Sequence, residues 1–258
     1  MGVLTTIKSK DNDTLKLIIQ LQKSSKKRVN CGLFVLEGLR LCEDALANGF
    51  IHNKVVFSES FVKKYPEKVI EFSADGDAYK VSDELFKKLS DTVNPQGILT
   101  LCKIPETFED EINPSGKYIA LENLQDPSNL GAIARTAEAF KIDGIILQDG
   151  CDPYASKSLR ASMGALLRIP VYQTNDMFSL FSKHRLKSFA SVVRGDSRFI
   201  NEVSFDNGCV VIIGNEANGI SEDTLYKSDV KINIPMTGKA ESLNASIAAA
   251  IIMWEMSR

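Results

Sequence analysis

The chain is 258 residues long, 44% hydrophobic and 25% charged, with a formal net charge of −2. It holds enough apolar material for a sizeable core in one large or two small domains; its charge argues against a generic nucleic-acid binder, and no apolar run of about 18 residues exists to span a membrane. Five scattered cysteines without a CxxC, and only His52 and His184 as imidazoles, argue against a zinc site or disulfide framework and fit reduced thiols in the cytoplasm.

The amino-terminal MGVLTTIKSK lacks the apolar core of a secretory signal. Gly2 and Thr6 match the loose myristoylation pattern, which is short enough to occur by chance. Residues 1–30 carry seven basic side chains against Asp11 and Asp13, a net +5, so the other 228 residues sum to −7. A basic arm on an acidic body reads either as a phosphate-contacting element or as a solvated helix face. The spacing of Leu15, Ile18 and Ile19 predicts a helix over DTLKLIIQLQ. GLFVLEG, 32–38, reads as a buried strand, LRLCEDALANGF as a helix stopped at Asn48-Gly49, and KVVFS, 54–58, as the next strand. AYKVS and DELFKKLSD repeat strand then helix, with Ser82 or Asp83 as cap, and GILTLCKI, 97–104, closes a small α/β unit. The acidic, proline-containing PETFEDEINPSGK, 105–117, reads as a linker between a domain at 1–104 and a second at 118–258.

In the second half KYIALENL, DGIILQDG, RIPVYQ, SFASVVRG, GCVVIIGNE and DVKINIPM read as strands. The helices are NLGAIARTAEAF, SKSLRASMGALL (one helix or two short ones), DMFSLFSKHRL, SEDTLYKS and SLNASIAAAIIMWEM. Apolar runs of four to six residues between helices imply strands buried on both faces. That is the pattern of a mostly parallel sheet in an α/β layer fold, and taken alone it implies a doubly wound sheet.

Ligands of open parallel sheets bind beyond the carboxyl ends of the strands. Three of those exits, NLQDPSNLGAIAR, GNEANGIS and PMTGKAESLN, combine glycine with Asn129, Asn215, Glu216, Asn218, Ser242 and Asn244. No GxGxxG or GxxxxGK[ST] occurs, and neither histidine lies near these loops in sequence to build a Ser/His/Asp triad. The glycines point to close backbone approach to a ligand. Asn244-Ala-Ser is a glycosylation acceptor only in a secreted protein.

Three segments resemble the three motifs of the SpoU/TrmH family of RNA ribose 2′-O-methyltransferases, within the SPOUT superfamily. They are NLGAIARTAEAF with Asn129 and Arg135, IIGNEANGIS with Gly214 and Glu216, and IPMTGKAESLNASIAAAI with Ser242, Leu243 and Asn244. Their order and strand-exit placement agree over residues 118–257, and DPYASKSLRASMGALLRIPV between them is similar as well. GLFVLEGLRLCEDALANG resembles the family's substrate-binding domain, of ribosomal-protein-like α/β fold. The second motif departs at Ala217-Asn218, where the family commonly has a glycine-rich pair.

The resemblance implies a carboxy-terminal trefoil knot, an exception to ordinary chain connections, whose loops hold S-adenosylmethionine. It also implies a homodimer paired through the catalytic domains, each active site being completed by the partner. By the same analogy Gly214, Ile234, Met236 and Leu243 bind the cofactor, and Arg135, Glu216, Asn129, Ser242 and Asn244 are the catalytic set. Guanidinium chemistry favours Arg135 as a grip on the phosphate beside the target ribose over a proton acceptor, because its pKa lies above about 12. Glu216 is open to three roles: orienting the ribose, accepting a proton through water, or bracing Arg135. Asn129, Ser242 and Asn244 are equally suited to helix capping, and a helix beginning near Ser242 would turn its electropositive end to the site. Lys26, Lys27, Arg28, Arg40, Arg160 and Arg168 are candidate RNA contacts. The expected substrate is 23S ribosomal RNA. The alternatives are a tRNA ribose methyltransferase, a non-catalytic RNA-binding protein on the same fold, and a dinucleotide-dependent oxidoreductase, which the missing GxGxxG disfavours.

Overall fold

The computed structural model describes residues 4–50, 52–74, 76–193 and 195–258; Gly2 of the myristoylation pattern lies outside the described residues. The chain divides into two compact units, Met1–Pro105 with Tyr154–Arg160, and Glu106–Pro153 with Ala161–Arg258.

The first unit runs β1 (Leu4–Thr6), α1 (Asp13–Lys23), α2 (Ser25–Cys31), β2 (Leu33–Glu37), α3 (Leu39–Ala47), β3 (His52–Ser58), α4 (Glu59–Lys64), α5 (Pro66–Phe72), β4 (Asp77–Val81), α6 (Asp83–Leu89) and β5 (Ile98–Lys103). Its five strands lie in the order β1-β4-β3-β5-β2, with β4 parallel to β1 and β3, and β5 antiparallel to β3 and β2. The periodic face of α1 buries Leu15, Ile18 and Leu21 against Val35, Val56, Leu99 and Leu101. Each such side chain contributes about 1.5–3 kcal/mol by leaving water. Short polar caps set the helix starts: Asn12 accepts from Thr14 N, Ser24 from Lys27 N, Ser58 from Phe61 N and Ser82 from Leu85 N.

Those caps account for helices that periodicity alone did not reveal. Ser24 restarts the chain as α2 inside the basic run, and Pro66 opens α5 from the first helical position. They also correct one expectation. Arg28 is buried, with 4% of its surface exposed, and its Nη1 donates to Leu21 O and to Gln22 O at 3.2 Å. It ties α2 to the end of α1, where carbonyls lack helical partners, and so is a staple of the fold and not a surface contact for RNA.

After the first unit come β6 (Lys117–Glu122), α7 (Pro127–Ala139), β7 (Gly144–Gln148), α8 (Ser156–Ser162, which belongs to the first unit through Arg160), β8 (Val171–Thr174), α9 (Met177–His184), β9 (Lys187–Ser191), β10 (Arg198–Phe199), β11 (Cys209–Ile213), α10 (Glu222–Lys227), β12 (Val230–Asn233) and α11 (Ala245–Met256), all but α8 lying in the second unit. Its seven strands lie in the order β10-β12-β9-β11-β6-β7-β8 and every pairing is parallel. β11 is buried throughout, as expected of a central strand covered on both faces. The segment 105–117 is more than a linker. Ile112 is buried beside Tyr118 and Tyr172, Asn113 N donates to Tyr118 Oη at 2.8 Å, and Thr107 Oγ1 donates to Val171 O at 3.0 Å.

The order of the parallel strands positions the site. From β6 the chain moves outward through β7 to β8, then returns to the other side with β9, and β11 inserts beside β6. The exits of β6 and β11 are therefore neighbours at the point where winding reverses, the usual ligand crevice of such sheets.

Candidate active site

Two strand exits are joined residue by residue. Asn215 Nδ2 donates to Asn123 O at 2.9 Å. Beside it the Glu216 carboxylate accepts from the backbone N–H groups of Gln125 and Asp126, both at 3.0 Å, and from Asn129 Nδ2 at 2.9 Å. Those donors sit at the start of α7, which Asp126 caps by accepting from Ser128 N and which Pro127 opens. An anion at a helix N-terminus meets free N–H groups and the positive end of the dipole. Glu216 thus braces the β6–α7 loop; it makes no ion pair with Arg135 among the described residues. Burial is the largest single influence on its carboxyl and pushes the pKa up, but the bonds from Asn129 and the Asp126 and Gln125 backbones together outweigh it. The group sits below its ordinary value and is a poor proton acceptor at neutral pH.

The third segment joins through Asn129. Its Oδ1 accepts from Asn244 Nδ2 at 3.1 Å, while Asn244 Oδ1 accepts from Ser246 N at 2.9 Å and caps α11. The helix therefore begins at Ala245, and the cap is Asn244 and not Ser242, which is exposed. The three motifs converge as one hydrogen-bonded row, Glu216–Asn129–Asn244.

A cavity of about 280 Å³ opens beside this row. Gly214, Glu216, Ile234, Met236, Ser242 and Leu243 all line it, joined by Ser191 and Val193 from the exit of β9. Gly214 is required by close approach: a Cβ there would stand 2.2 Å from Gly219 C and 2.4 Å from Gly219 O. The loop closes on itself through paired Asn215–Gly219 backbone bonds, each 2.9 Å. Among the described residues no hydrogen bond ties residues 235–243 to the rest of the chain, which leaves their backbone N–H groups available to a ligand.

Arg135 is on α7, six residues past Asn129 and so about 9 Å further along the axis. It is exposed, shares a face with Ala139, and has no partner among the described residues. It is the one member of the expected catalytic set outside the row and the cavity wall.

Of the expected RNA contacts, Lys26 and Arg40 are exposed and Lys27 is half-buried, none of them in an ion pair among the described residues. Arg160 instead grips Asp91 Oδ2 with two nitrogens at 3.1 and 3.2 Å. Arg168 forms a two-pronged pair with Glu138, one arm at 2.8 Å, that holds the Glu138 carboxyl below its ordinary value. Sequence reading missed Glu122 altogether. It ends β6 with only 8% exposure and accepts from Ser221 N, Ser221 Oγ and Thr224 Oγ1. Its only signal was a carboxylate closing an apolar strand.

Comparison with known proteins agrees with this geometry. Residues 116–254 match the SpoU rRNA methylase family, and residues 12–100 match the MRM3-like substrate binding domain. The chain is 33% identical over 260 residues to an uncharacterized tRNA/rRNA methyltransferase of Synechocystis sp., covering 99% of this chain and 94% of the relative. It is 29% identical over 237 residues to the 23S rRNA (guanosine(2553)-2′-O)-methyltransferase RlmP of Bacillus subtilis, covering 90% and 92%. The crystal structure of an AdoMet-bound rRNA methyltransferase from Sinorhizobium meliloti superposes with a TM-score of 0.85 at 28% identity, covering 98% of this chain and 97% of that one. With its motif residues gathered at one sheet crevice and its length matched end to end by such relatives, this chain belongs to the SpoU rRNA methylase family.

Proposed function

We propose that the chain transfers the methyl group of S-adenosylmethionine to a ribose 2′-hydroxyl of 23S ribosomal RNA, in the cytoplasm and as a homodimer. The observation that carries this reading is the Glu216–Asn129–Asn244 row, which brings three distant segments to the rim of one cavity.

The cavity fits the cofactor. Ile234, Met236 and Leu243 would offer apolar contact to a flat base, backbone N–H groups in 236–243, uncommitted among the described residues, would suit its polar edge, and Glu216 lines the same cavity as a negative charge toward a cationic cofactor. When bound, the cofactor supplies an electrophilic methyl group for in-line attack. The protein's share is alignment and charge. Gly214 and Leu243 line the cavity from two different motifs. Asn129 is locked between Glu216 and Asn244, so its orientation is fixed before any substrate arrives. Glu216, held ionised by its donors, acts as a brace and as local negative charge and not as the base.

Arg135 grips an RNA phosphate. Its exposed side chain serves the site of a second copy, because it stands outside its own row and cavity wall. The surface beside it supports such pairing. On α11, Ile247 and Trp254 are 52% and 53% exposed at i, i+7 spacing, and Trp254 packs edge-on to Phe140 at the end of α7. Two large apolar side chains exposed on a helix packed against α7, the helix that carries Arg135, are what a dimer would cover. The return from β12, beyond β9, to α11, packed on α7, crosses the exits of β9, β11 and β6; we read this as the closing of a trefoil knot. The first unit supplies RNA affinity, with Lys26, Lys27 and Arg40 among its cations.

Mapping ribose methylation in RNA from cells with and without the gene tests the reading. A 2′-O-methyl mark on 23S rRNA that disappears with the gene is the expected result. A missing mark confined to tRNA would reassign the substrate, and an unchanged map would overturn the activity.

A further inference from the structure

A buried carboxylate at the end of a central strand is costly unless its oxygens are fully used. Glu122 is such a group, and all of its hydrogen-bond partners come from one short segment. Oε2 accepts from Ser221 N at 3.0 Å; Oε1 accepts from Ser221 Oγ at 2.6 Å and from Thr224 Oγ1 at 2.7 Å. Ser221 Oγ in turn accepts from Thr224 N at 3.2 Å, so its proton is directed at Glu122. Glu122 enters no ion pair among the described residues, and Thr224 is itself 2% exposed. The segment is the far end of the loop that walls the cavity. The near end of that loop is held by Asn215 on Asn123 and by Glu216 on the start of α7. Between the two anchors the loop's hydrogen bonds, among the described residues, run only within itself, from Asn215 to Ala217, Asn218 and Gly219, while Ile220 packs against the core.

We propose that Glu122 is a positioning residue that fixes the far end of loop 214–221 and so sets the shape of the cofactor cavity, acting on cofactor affinity and not on RNA affinity. This rests on the methyl-transfer reading above. The two anchors divide the labour: Glu216 couples the loop to the start of α7, whereas the Glu122 side chain, among the described residues, hydrogen-bonds to neither α7 nor α11. Loosening the Glu122 anchor widens the wall formed by Gly214–Gly219 while leaving the Glu216–Asn129–Asn244 row in place. The carboxylate is needed because three donors converge on two oxygens; an amide offers one carbonyl oxygen and turns an N–H toward the others.

The test is steady-state methyl transfer and calorimetry with S-adenosylmethionine on the full-length protein and its Glu122→Ala, Glu122→Gln and Thr224→Val variants. Glu122→Ala is expected to raise the cofactor KM and Kd about tenfold, with the RNA KM within about twofold of wild type and kcat reduced less than about threefold. Glu122→Gln keeps the volume and one accepting oxygen but turns an N–H toward the other donors, so it should recover only part of that loss. Thr224→Val removes one hydroxyl at constant volume and should weaken the cofactor about threefold, which keeps the test decisive if Glu122→Ala fails to fold. A folded Glu122→Ala, or a Thr224→Val, with unchanged cofactor affinity would overturn the proposal; so would parallel losses in cofactor and RNA affinity. A wild-type protein that binds no S-adenosylmethionine would instead overturn the methyl-transfer reading, and the positioning role with it.

Discussion

Asn129 and Glu216 are 87 residues apart in the chain, and their amide and carboxylate meet at 2.9 Å. Because Asn129 also accepts from Asn244, this contact locks the starts of α7 and α11 to the exit of β11. One of its two bonds, Asn129 to Glu216, has an ionised acceptor and is stronger than a neutral bond; the other joins two amides.

Replacing that acceptor should therefore disturb geometry more than stability. Glu216→Gln must turn an N–H toward one of its backbone donors. Because the side chain is largely solvated, we expect a loss of about 1 kcal/mol, or 2–4 °C in Tm, with methyl transfer falling about a hundredfold. Transfer within about threefold of wild type would remove Glu216 from the site.

The same carboxyl predicts a pH dependence. Its folded pKa lies below its ordinary value of 4.5, so its contribution to stability is complete above the unfolded pKa and is lost as pH falls through the folded one. The Tm gap between wild type and Glu216→Gln should stay constant from neutral pH to about 5.5, then close as the medium is acidified. A gap that closes between pH 8 and 6 would contradict the assignment.

Gly214→Ala should act through backbone displacement. The added methyl would meet the Gly219 carbonyl carbon at 2.2 Å, well inside contact distance, so the loop must open. The expected cost is about 1–3 kcal/mol in stability and at least about tenfold in cofactor affinity by calorimetry. Unchanged affinity would mean that the loop does not wall the cofactor cavity.

Sharing of the site between two copies has its own signature. Arg135→Ala alone should abolish transfer yet leave cofactor affinity and Tm nearly unchanged, since the side chain is exposed and unpaired among the described residues. Asn244→Ala alone should also be inactive. If Arg135 serves the neighbouring copy, an equimolar mixture of the two inactive variants, exchanged into mixed dimers, recovers roughly a quarter of wild-type activity, because half the dimers are mixed and each has one intact site. If Arg135 serves its own copy, the mixture stays inactive.

Much of this site was legible because its residues stand at strand exits, where composition is not dictated by core packing. Glu216 and Ser242 could be named from the loops themselves, and Gly214, Ile234 and Leu243 from the family resemblance; all five line one cavity. What sequence could not supply was the direction of side chains. Arg28 stands in a basic run that reads as surface, yet it turns inward to carbonyls at the end of α1. Arg160 and Arg168 look free in sequence and are held by Asp91 and Glu138, 69 and 30 residues away. Ser242 has a capping chemistry equal to that of Asn244, and only the backbone decides which of them caps α11. Glu122 was hidden because its partners lie 99 and 102 residues further on, at a capping serine and a buried threonine.

The most direct measurement is transfer itself. Purified protein is incubated with methyl-labelled S-adenosylmethionine and 23S rRNA from cells lacking the gene, and the RNA is then digested to nucleosides. The account predicts label in one 2′-O-methylated nucleoside, in a product whose neighbouring phosphodiester resists alkali, and none with Arg135→Ala. Label on a base, or no label with a protein that binds the cofactor and the RNA, would contradict it.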